Sequence, residues 1–371
     1  MSSRTTSTAA PVEKALVVAV DLHDPKRPLE PELAEFEALI LAAGAQLAGR
    51  VVQRLDRVDP ATMVGSGKAH EIAALAEELG ATKIFVFNDL RPRQRINLEK
   101  IVPLPIVDRT ATLLDIFAQR ARSREGKLQV ELAQLRYRQS NLIGGGAALS
   151  RVGGGGGSRG PGETKLEVDR RKIAQRVTLL SAQLEEGRGA RATRRSARGE
   201  SPLVALVGYT NVGKSSLLNR LAHSAQADGA FVADQPFATL DPTLRRVFLA
   251  PGVYVRLADT VGFITELPEE LLAAFRATLE ELEGADVLVH VMDAANPDWP
   301  RQRRSVETIL EELGVAGKPT ILACNKVDAR DALGEPPPLP SGAIAISAKT
   351  GQGLDELRAQ IVAALPARAH A

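Results

Sequence analysis

Two alternating textures run along this chain. Short apolar runs recur, bounded by Gly, Pro or charged residues, and between them apolar side chains return every three or four positions. The runs Ala15–Val20, Lys83–Phe87, Leu203–Val207, Val253–Leu257, Val287–Met292, Pro319–Cys324 and Ala343–Ile346 predict buried strands. Glu32–Ala43 and Lys68–Leu79 predict amphipathic helices between the first strands. Strand and helix in alternation predict an α/β architecture, with a small parallel sheet in the first hundred residues and a second sheet in the C-terminal half.

The middle of the chain has a different period. Two long stretches, roughly Thr112–Ile143 and Glu163–Glu186, are helical in spacing. Leu128, Leu132, Leu135 and Leu142 of the first can face Leu166, Ile173, Val177, Leu180 and Leu184 of the second. That pairing predicts an antiparallel helical hairpin with an aliphatic seam. Its tip would be Gly144–Gly146 and Gly153–Gly157, with Arg151 and Arg159 embedded. The expected organisation is a flexible tail over 1–11, an α/β domain over 12–110, the hairpin over 111–186, a Gly-, Arg- and Ser-rich linker over 187–201, and a last domain over 202–367.

Composition narrows the class. The 371 residues suffice for two or three domains, each with a proper core. A single cysteine, Cys324, excludes an intramolecular disulfide, and its place at the end of an apolar run predicts burial. No apolar run is long enough to span a bilayer, so no membrane insertion is expected and the cytoplasm is the default location. Net charge is only +2, but basic residues crowd between 119 and 198, among them Arg170, Arg171, Lys172, Arg194 and Arg195. Such a segment reads either as a solvated linker or as a surface that neutralises RNA phosphate.

Specific chemistry begins at Gly208-Tyr209-Thr210-Asn211-Val212-Gly213-Lys214-Ser215, a complete G-x-x-x-x-G-K-[ST] pattern between a predicted strand and a predicted helix. Glycines there let backbone N–H groups turn around an anion at a helix N-terminus, whose dipole favours negative charge. Lys214 is the candidate for the β- and γ-phosphates and Ser215 for Mg²⁺. By contrast, Gly65-Ser66-Gly67-Lys68 lacks the first glycine and has Ala69 where a hydroxyl is needed, so it reads as a turn and helix start.

The base is chosen further on. Asn325-Lys326-Val327-Asp328 forms an N-K-x-D box at a strand's C-terminal edge, where open α/β sheets bind ligands. A carboxylate there accepts both N1–H and the exocyclic amine of guanine, whereas adenine would leave it unpaired. Ser347-Ala348-Lys349 adds a backbone N–H for the guanine O6. The predicted ligand is GTP, with GDP as product.

Two segments read as switches that order around the γ-phosphate. In Asp259-Thr260-Val261-Gly262, Asp259 holds Mg²⁺ through its outer shell and the Gly262 N–H meets the γ-phosphate. In Phe237-Ala238-Thr239-Leu240-Asp241-Pro242-Thr243, Thr239 is the favoured residue to close the metal shell, with Thr243 second. Many small GTPases place a water-orienting glutamine directly after D-x-x-G; here Phe263 stands there, so a slow basal rate is expected. Asn211 has two readings, as a K⁺ ligand beside the phosphates or as a stabiliser of its own loop.

Taken together, Gly208–Asn211, Phe237–Thr243 and Asp259–Phe263 resemble the HflX family of ribosome-associated GTPases. The resemblance extends to Asp108-Arg109-Thr110-Ala111-Thr112-Leu113-Leu114-Asp115-Ile116-Phe117 and to the glycine-rich run Gly153–Lys165, so it covers nearly the whole chain. It implies an N-terminal domain before a P-loop GTPase domain, Mg²⁺-dependent hydrolysis, and a monomer that binds the large (50S) ribosomal subunit through the hairpin, near rRNA of the peptidyl-transferase region. It further implies splitting or rescue of stalled or idle ribosomes. Two other classes stay open on the residues alone: a GTPase of ribosome assembly or RNA modification, and a signalling switch with a protein activator. Some members carry an extra C-terminal domain, whereas this sequence stops soon after the helix starting near Leu354.

Overall fold

The structure, a computed structural model, describes residues 12–24, 28–150, 161–197, 201–222, 237, 243–265, 282–330 and 338–366, with backbone alone at 143–150, 161–166 and 188–197. It divides into two compact units, one of residues 1–116 with 136–174, the other of residues 117–135 with 175–371. The segment expected as a separate hairpin domain is therefore shared between them.

In the first unit, β1 (Lys14–Asp21) lies between β2 (Gln46–Arg54) and β3 (Lys83–Val86), and β4 (Ile106–Asp108) completes a four-stranded sheet of order β2-β1-β3-β4, parallel throughout. Helices α1 (Leu29–Ala42), α2 (Ser66–Glu78) and α3 (Pro92–Ile101) provide the crossovers. Successive residues of β1 point to opposite faces, and Ala15 through Val20 are all buried, so both faces are covered. Leu16, Val18 and Val20 pack with Ile72, Ile84 and Val86. Helix α2 starts at Ser66, as the turn-and-helix reading of Gly65–Lys68 requires.

Three strands escaped the sequence reading for identifiable reasons. In β2, only Val51 is buried, because an edge strand carrying Arg50, Gln53 and Arg54 has no apolar run to show. β4 is three residues long. β6 (Thr243–Ala250) begins at the last residue of the presumed switch, and Arg245 and Arg246 interrupt the apolar signal.

After β4 the chain enters α4 (Arg109–Arg120), which is capped by its predecessor. Asp108 Oδ1 accepts the Ala111 N–H at 2.9 Å, and the Thr112 hydroxyl donates to the Asp108 carbonyl at 2.9 Å. The other oxygen of the same carboxylate accepts from the Arg95 guanidinium and, at 2.7 Å, from the Tyr137 hydroxyl. Burial and the neighbouring Asp108 charge push the Tyr137 phenol well above its usual range. The Asp-Arg-Thr-Ala-Thr run is thus a capping and ion-pairing device.

The hairpin differs in detail from the expectation. Its first arm is interrupted at 121–123, giving α4 and α5 (Arg124–Ser150), and the second arm, α6 (Pro161–Ala197), continues through most of the presumed linker. The backbone at Gly144–Gly146 is helical, within α5, while Gly153–Gly157, Arg151 and Arg159 fall outside the described residues. Where both arms belong to the second unit they run antiparallel: Glu131 pairs with Arg176 at 2.8 Å, and Leu128 and Arg124 line one cleft with Leu184 and Gly187.

The rest of the second unit is a six-stranded sheet of order β10-β9-β8-β5-β7-β6. It is built from β5 (Leu203–Gly208), β6, β7 (Val253–Asp259), β8 (Val287–Asp293), β9 (Thr320–Asn325) and β10 (Ile344–Ala345). Among the described residues, only the β6–β7 pair of this sheet is antiparallel. Every residue of β5 is buried, as a central strand between helix layers must be. Helices α7 (Lys214–Ala222), α8 (Trp299–Glu312), α9 (Val327–Arg330) and α10 (Leu354–Ala364) accompany the strands. Cys324 is buried, and burial pushes its thiol up to about 11.

Candidate functional site

The carboxyl ends of β5, β7 and β9 bring three of the predicted motifs together. β5 ends in Gly208, where a side chain is impossible: φ is +152°, and a Cβ would stand 2.2 Å from the Val291 carbonyl oxygen. The chain then turns through Asn211, at φ +59°, and Gly213, at φ +91°, into α7. A Cβ on Gly213 would meet Asn325 Nδ2 at 2.4 Å, so the phosphate-loop glycine is also what lets the guanine box approach.

Lys214 is the first residue of α7 and is only 6% exposed. Its Nζ donates to the carbonyls of Gly208 at 3.0 Å and Tyr209 at 2.8 Å. Burial lowers its pKa to about 8, with Asp259 acting in the opposite direction. An ammonium held by carbonyl oxygens in a low-dielectric site is poised for an anion, which would restore its charge. Next to it, Ser215 Oγ donates to Asp259 Oδ2 at 2.6 Å, and Asp259 is 1% exposed. One hydroxyl and one carboxylate in contact form an all-oxygen donor pair of the kind Mg²⁺ takes when phosphates and water complete its shell. The residues present fit that ion.

The D-x-x-G segment is joined to the phosphate loop at several points. Thr260 Oγ1 donates to the Leu206 carbonyl at 2.6 Å. Phe263 and Tyr209 form a parallel bridge: the Phe263 N–H donates to Gly208 at 3.1 Å and the Thr210 N–H donates to Phe263 at 2.8 Å. The ring of Phe263 is 2% exposed, and Val261 is buried too. Gly262 lies close against the phosphate loop; a Cβ there would lie 2.8 Å from Thr210 Cα and 3.1 Å from Lys214 Nζ.

At the base-binding end, the box residues act first on each other. Asn325 Nδ2 donates to the Val212 carbonyl at 2.8 Å, and its Oδ1 accepts the Ala348 N–H at 2.9 Å. Lys326, at φ +65°, donates to the Asn211 carbonyl at 2.7 Å and pairs with Asp293 at 2.8 Å. Val327 is buried, opening α9. Asp328 Oδ1 accepts from Ser347 Oγ at 2.7 Å, which orients the carboxylate. Lys349 is exposed. The structure therefore links the phosphate loop, the N-K-x-D box and the S-A-K box through side-chain and backbone bonds.

Of the predicted switch, Phe237 is described and Ala238, Thr239, Leu240 and Asp241 lie outside the described residues. Phe237 has φ +56°, is 2% exposed, and packs edge-on against Phe117 of α4 with ring centroids 4.5 Å apart. Sequence reasoning missed three participants: Asp293, which holds Lys326, Phe117, and Thr265, whose N–H and hydroxyl both meet the Tyr209 hydroxyl at 2.8 Å. Only Asp293 carried a signal, as a carboxylate directly after a predicted strand.

Comparison with known proteins agrees with this geometry. Family models described as GTP-binding GTPase N-terminal, GTP-binding GTPase Middle Region and 50S ribosome-binding GTPase match residues 30–118, 120–198 and 203–326. The chain is 46% identical to the GTPase HflX of Lacrimispora saccharolytica over 348 residues, covering 93% of this chain and 81% of that protein. It is 43% identical to the GTPase HflX of Escherichia coli over 337 residues, covering 88% of this chain and 77% of that one. In fold alone it is similar to a crystal structure of SsGBP in complex with GDP, at 23% identity and a TM-score of 0.50, covering 95% of this chain and 98% of that one. A phosphate loop, a D-x-x-G turn and an N-K-x-D box joined at one sheet edge, behind two N-terminal regions with their own family models, place this chain in the HflX family of GTPases.

Proposed function

We propose that this GTPase works on the large ribosomal subunit and separates stalled or idle ribosomes into subunits. The observation that carries the reading is the joining of phosphate loop, Gly262 turn and guanine box through Phe263, Asn325 and Lys326. Support for the ribosomal half comes from the description of the family model over 203–326 and from the exposed cations Arg170, Arg171 and Lys172 on α6.

In this reading Asp328 accepts the two guanine donors, and a backbone N–H of 347–349 serves the O6. The Ala348 N–H already serves Asn325, so it must be shared or the Lys349 N–H takes the role. The triphosphate wraps around the backbone N–H groups of 211–215, and Lys214 Nζ leaves its two carbonyls for the β- and γ-oxygens. Ser215, with Thr239, would hold Mg²⁺, with Asp259 behind them. When bound, Mg²⁺ neutralises the charge that builds on the phosphate oxygens. Water attacks the γ-phosphorus in line as the bond to the bridging oxygen breaks, giving GDP and phosphate. Phe263 is buried and cannot orient that water, so contact with ribosomal RNA or protein completes the site.

The test is GTP turnover with and without purified large subunits, in K⁺ and then Na⁺ buffer, with sedimentation of 70S particles alongside. Stimulation on the order of a thousandfold or more, the range when a partner supplies a missing transition-state group, together with loss of the 70S peak, is expected. Weaker turnover in Na⁺ would add K⁺ coordination by Asn211 to the reading. Stimulation by immature particles only would move the function to assembly.

A further inference from the structure

The D-x-x-G segment of this protein is attached to the phosphate loop as by a zipper, and the last tooth is a side chain. Asp259 meets Ser215, Thr260 meets Leu206, and Phe263 bridges Gly208 and Thr210. Beyond these, the Tyr209 hydroxyl accepts the Thr265 N–H at 2.8 Å and shares a second 2.8 Å hydrogen bond with the Thr265 hydroxyl. Tyr209 is 3% exposed and Ile264, between the two attachments, is fully buried. Tyr209 occupies the first variable position of the phosphate loop, yet its side chain is engaged with the segment after Gly262.

We propose that Tyr209 is a positioning residue for hydrolysis: its hydroxyl clasps Thr265 and so fixes Gly262 beside Lys214. The argument rests on what this chain lacks. Phe263 offers no polar atom, so the D-x-x-G segment contributes to the γ-phosphate mainly through main chain, above all the Gly262 N–H. A main-chain donor acts well only if its position is fixed before the reaction, since small misplacements lose much of the rate. Gly262 itself has no side chain to anchor it. The Phe263 bridge holds it on one side of the loop, and the clasp holds the chain two residues further on. The proposal builds on the reading that the Gly262 N–H meets the γ-phosphate.

The experiment compares wild type with Tyr209→Phe, Thr265→Val and Thr265→Ser, measuring basal kcat, KM for GTP, GDP affinity and Tm. Tyr209→Phe removes the acceptor while keeping the ring, and is expected to lower kcat on the order of tenfold with GDP affinity within about twofold. Thr265→Val should reproduce part of that loss, Thr265→Ser should restore it, and the double variant should be no worse than Tyr209→Phe, as expected of one shared contact. An unchanged kcat in Tyr209→Phe overturns the proposal. So does a parallel fall of kcat, GDP affinity and Tm, which would make the clasp a fold contact only. Absence of GTP turnover in the wild type would instead remove the underlying reading of Gly262. If Tyr209→Phe does not fold, the Val and Ser variants at 265 decide by themselves.

Discussion

Both sheets of this protein have parallel central strands with helices between them, but their carboxyl edges differ in how a buried charge is met. In the four-stranded sheet, the polar side chains at strand ends are matched with one another. Asn88 bonds both the N–H and the carbonyl of Val20, Asp21 meets Arg54, and Asp108 meets Arg95 and Tyr137. In the six-stranded sheet, Lys326 pairs with Asp293, but the buried Lys214 has, among the described residues, no carboxylate in contact. Lys214 rests on two carbonyls, and burial depresses its pKa to about 8. A parallel α/β sheet thus does not by itself make a site; what matters is whether the charges at its edge are already neutralised.

That contrast is open to direct attack. The largest effect is expected at Lys214. Lys214→Ala should reduce GTP turnover on the order of a thousandfold, the upper range for removal of one transition-state donor, while leaving thermal stability near that of wild type, because a poorly solvated ammonium is removed. A matching large fall in Tm would erase the difference between the sheets. At the other edge, Arg95→Ala should cost about 2–4 kcal/mol of stability by stranding the buried Asp108 carboxylate, somewhat less than a fully buried pair because Arg95 is partly exposed. Urea denaturation would read this, and GTP turnover below the transition should hardly change. Turnover collapsing along with stability would mean that the first sheet serves the reaction.

The smallest effect sharpens the comparison by pH. Lys214 is partly neutral above about pH 8 in the nucleotide-free protein, and bound phosphate favours its charged form. Binding therefore takes up a proton only above that pH. GDP affinity should be level between about pH 7 and 8, then weaken by up to about tenfold per pH unit above. Fluorescence titration of GDP from neutral to alkaline pH checks the sign. Affinity rising with pH would contradict an uncompensated Lys214, and a flat profile would mean that the ammonium is already neutralised, as at the other edge.

Much of the nucleotide site was legible because its residues are contiguous and their spacing is dictated by an anion, a metal and a base. Gly208–Ser215, Asp259–Gly262 and Asn325–Asp328 each form a short run after an apolar strand, and the structure places all three at one edge. Thr265 was not legible. Its partner Tyr209 lies 56 positions away and neither residue is unusual alone. The Phe117–Phe237 contact was equally hidden, since nothing local to either aromatic marks it as paired. Helix α6 extends through Ala197 despite Gly187 and Gly189, so glycine-based punctuation placed the linker too early.

The sequence by itself determined the strands of high apolar density, the three nucleotide boxes and the identity of the base, because these depend on local backbone freedom and on functional groups a few residues apart. Tertiary structure decided which loop is tied to which: Gly213 against Asn325, Lys326 against Asn211 and Asp293, Tyr209 against Thr265, Asp108 against Arg95 and Tyr137. Those pairings arise only once strand order brings distant strand ends side by side. A hydrogen bond, unlike an apolar period, leaves no repeating trace along the chain.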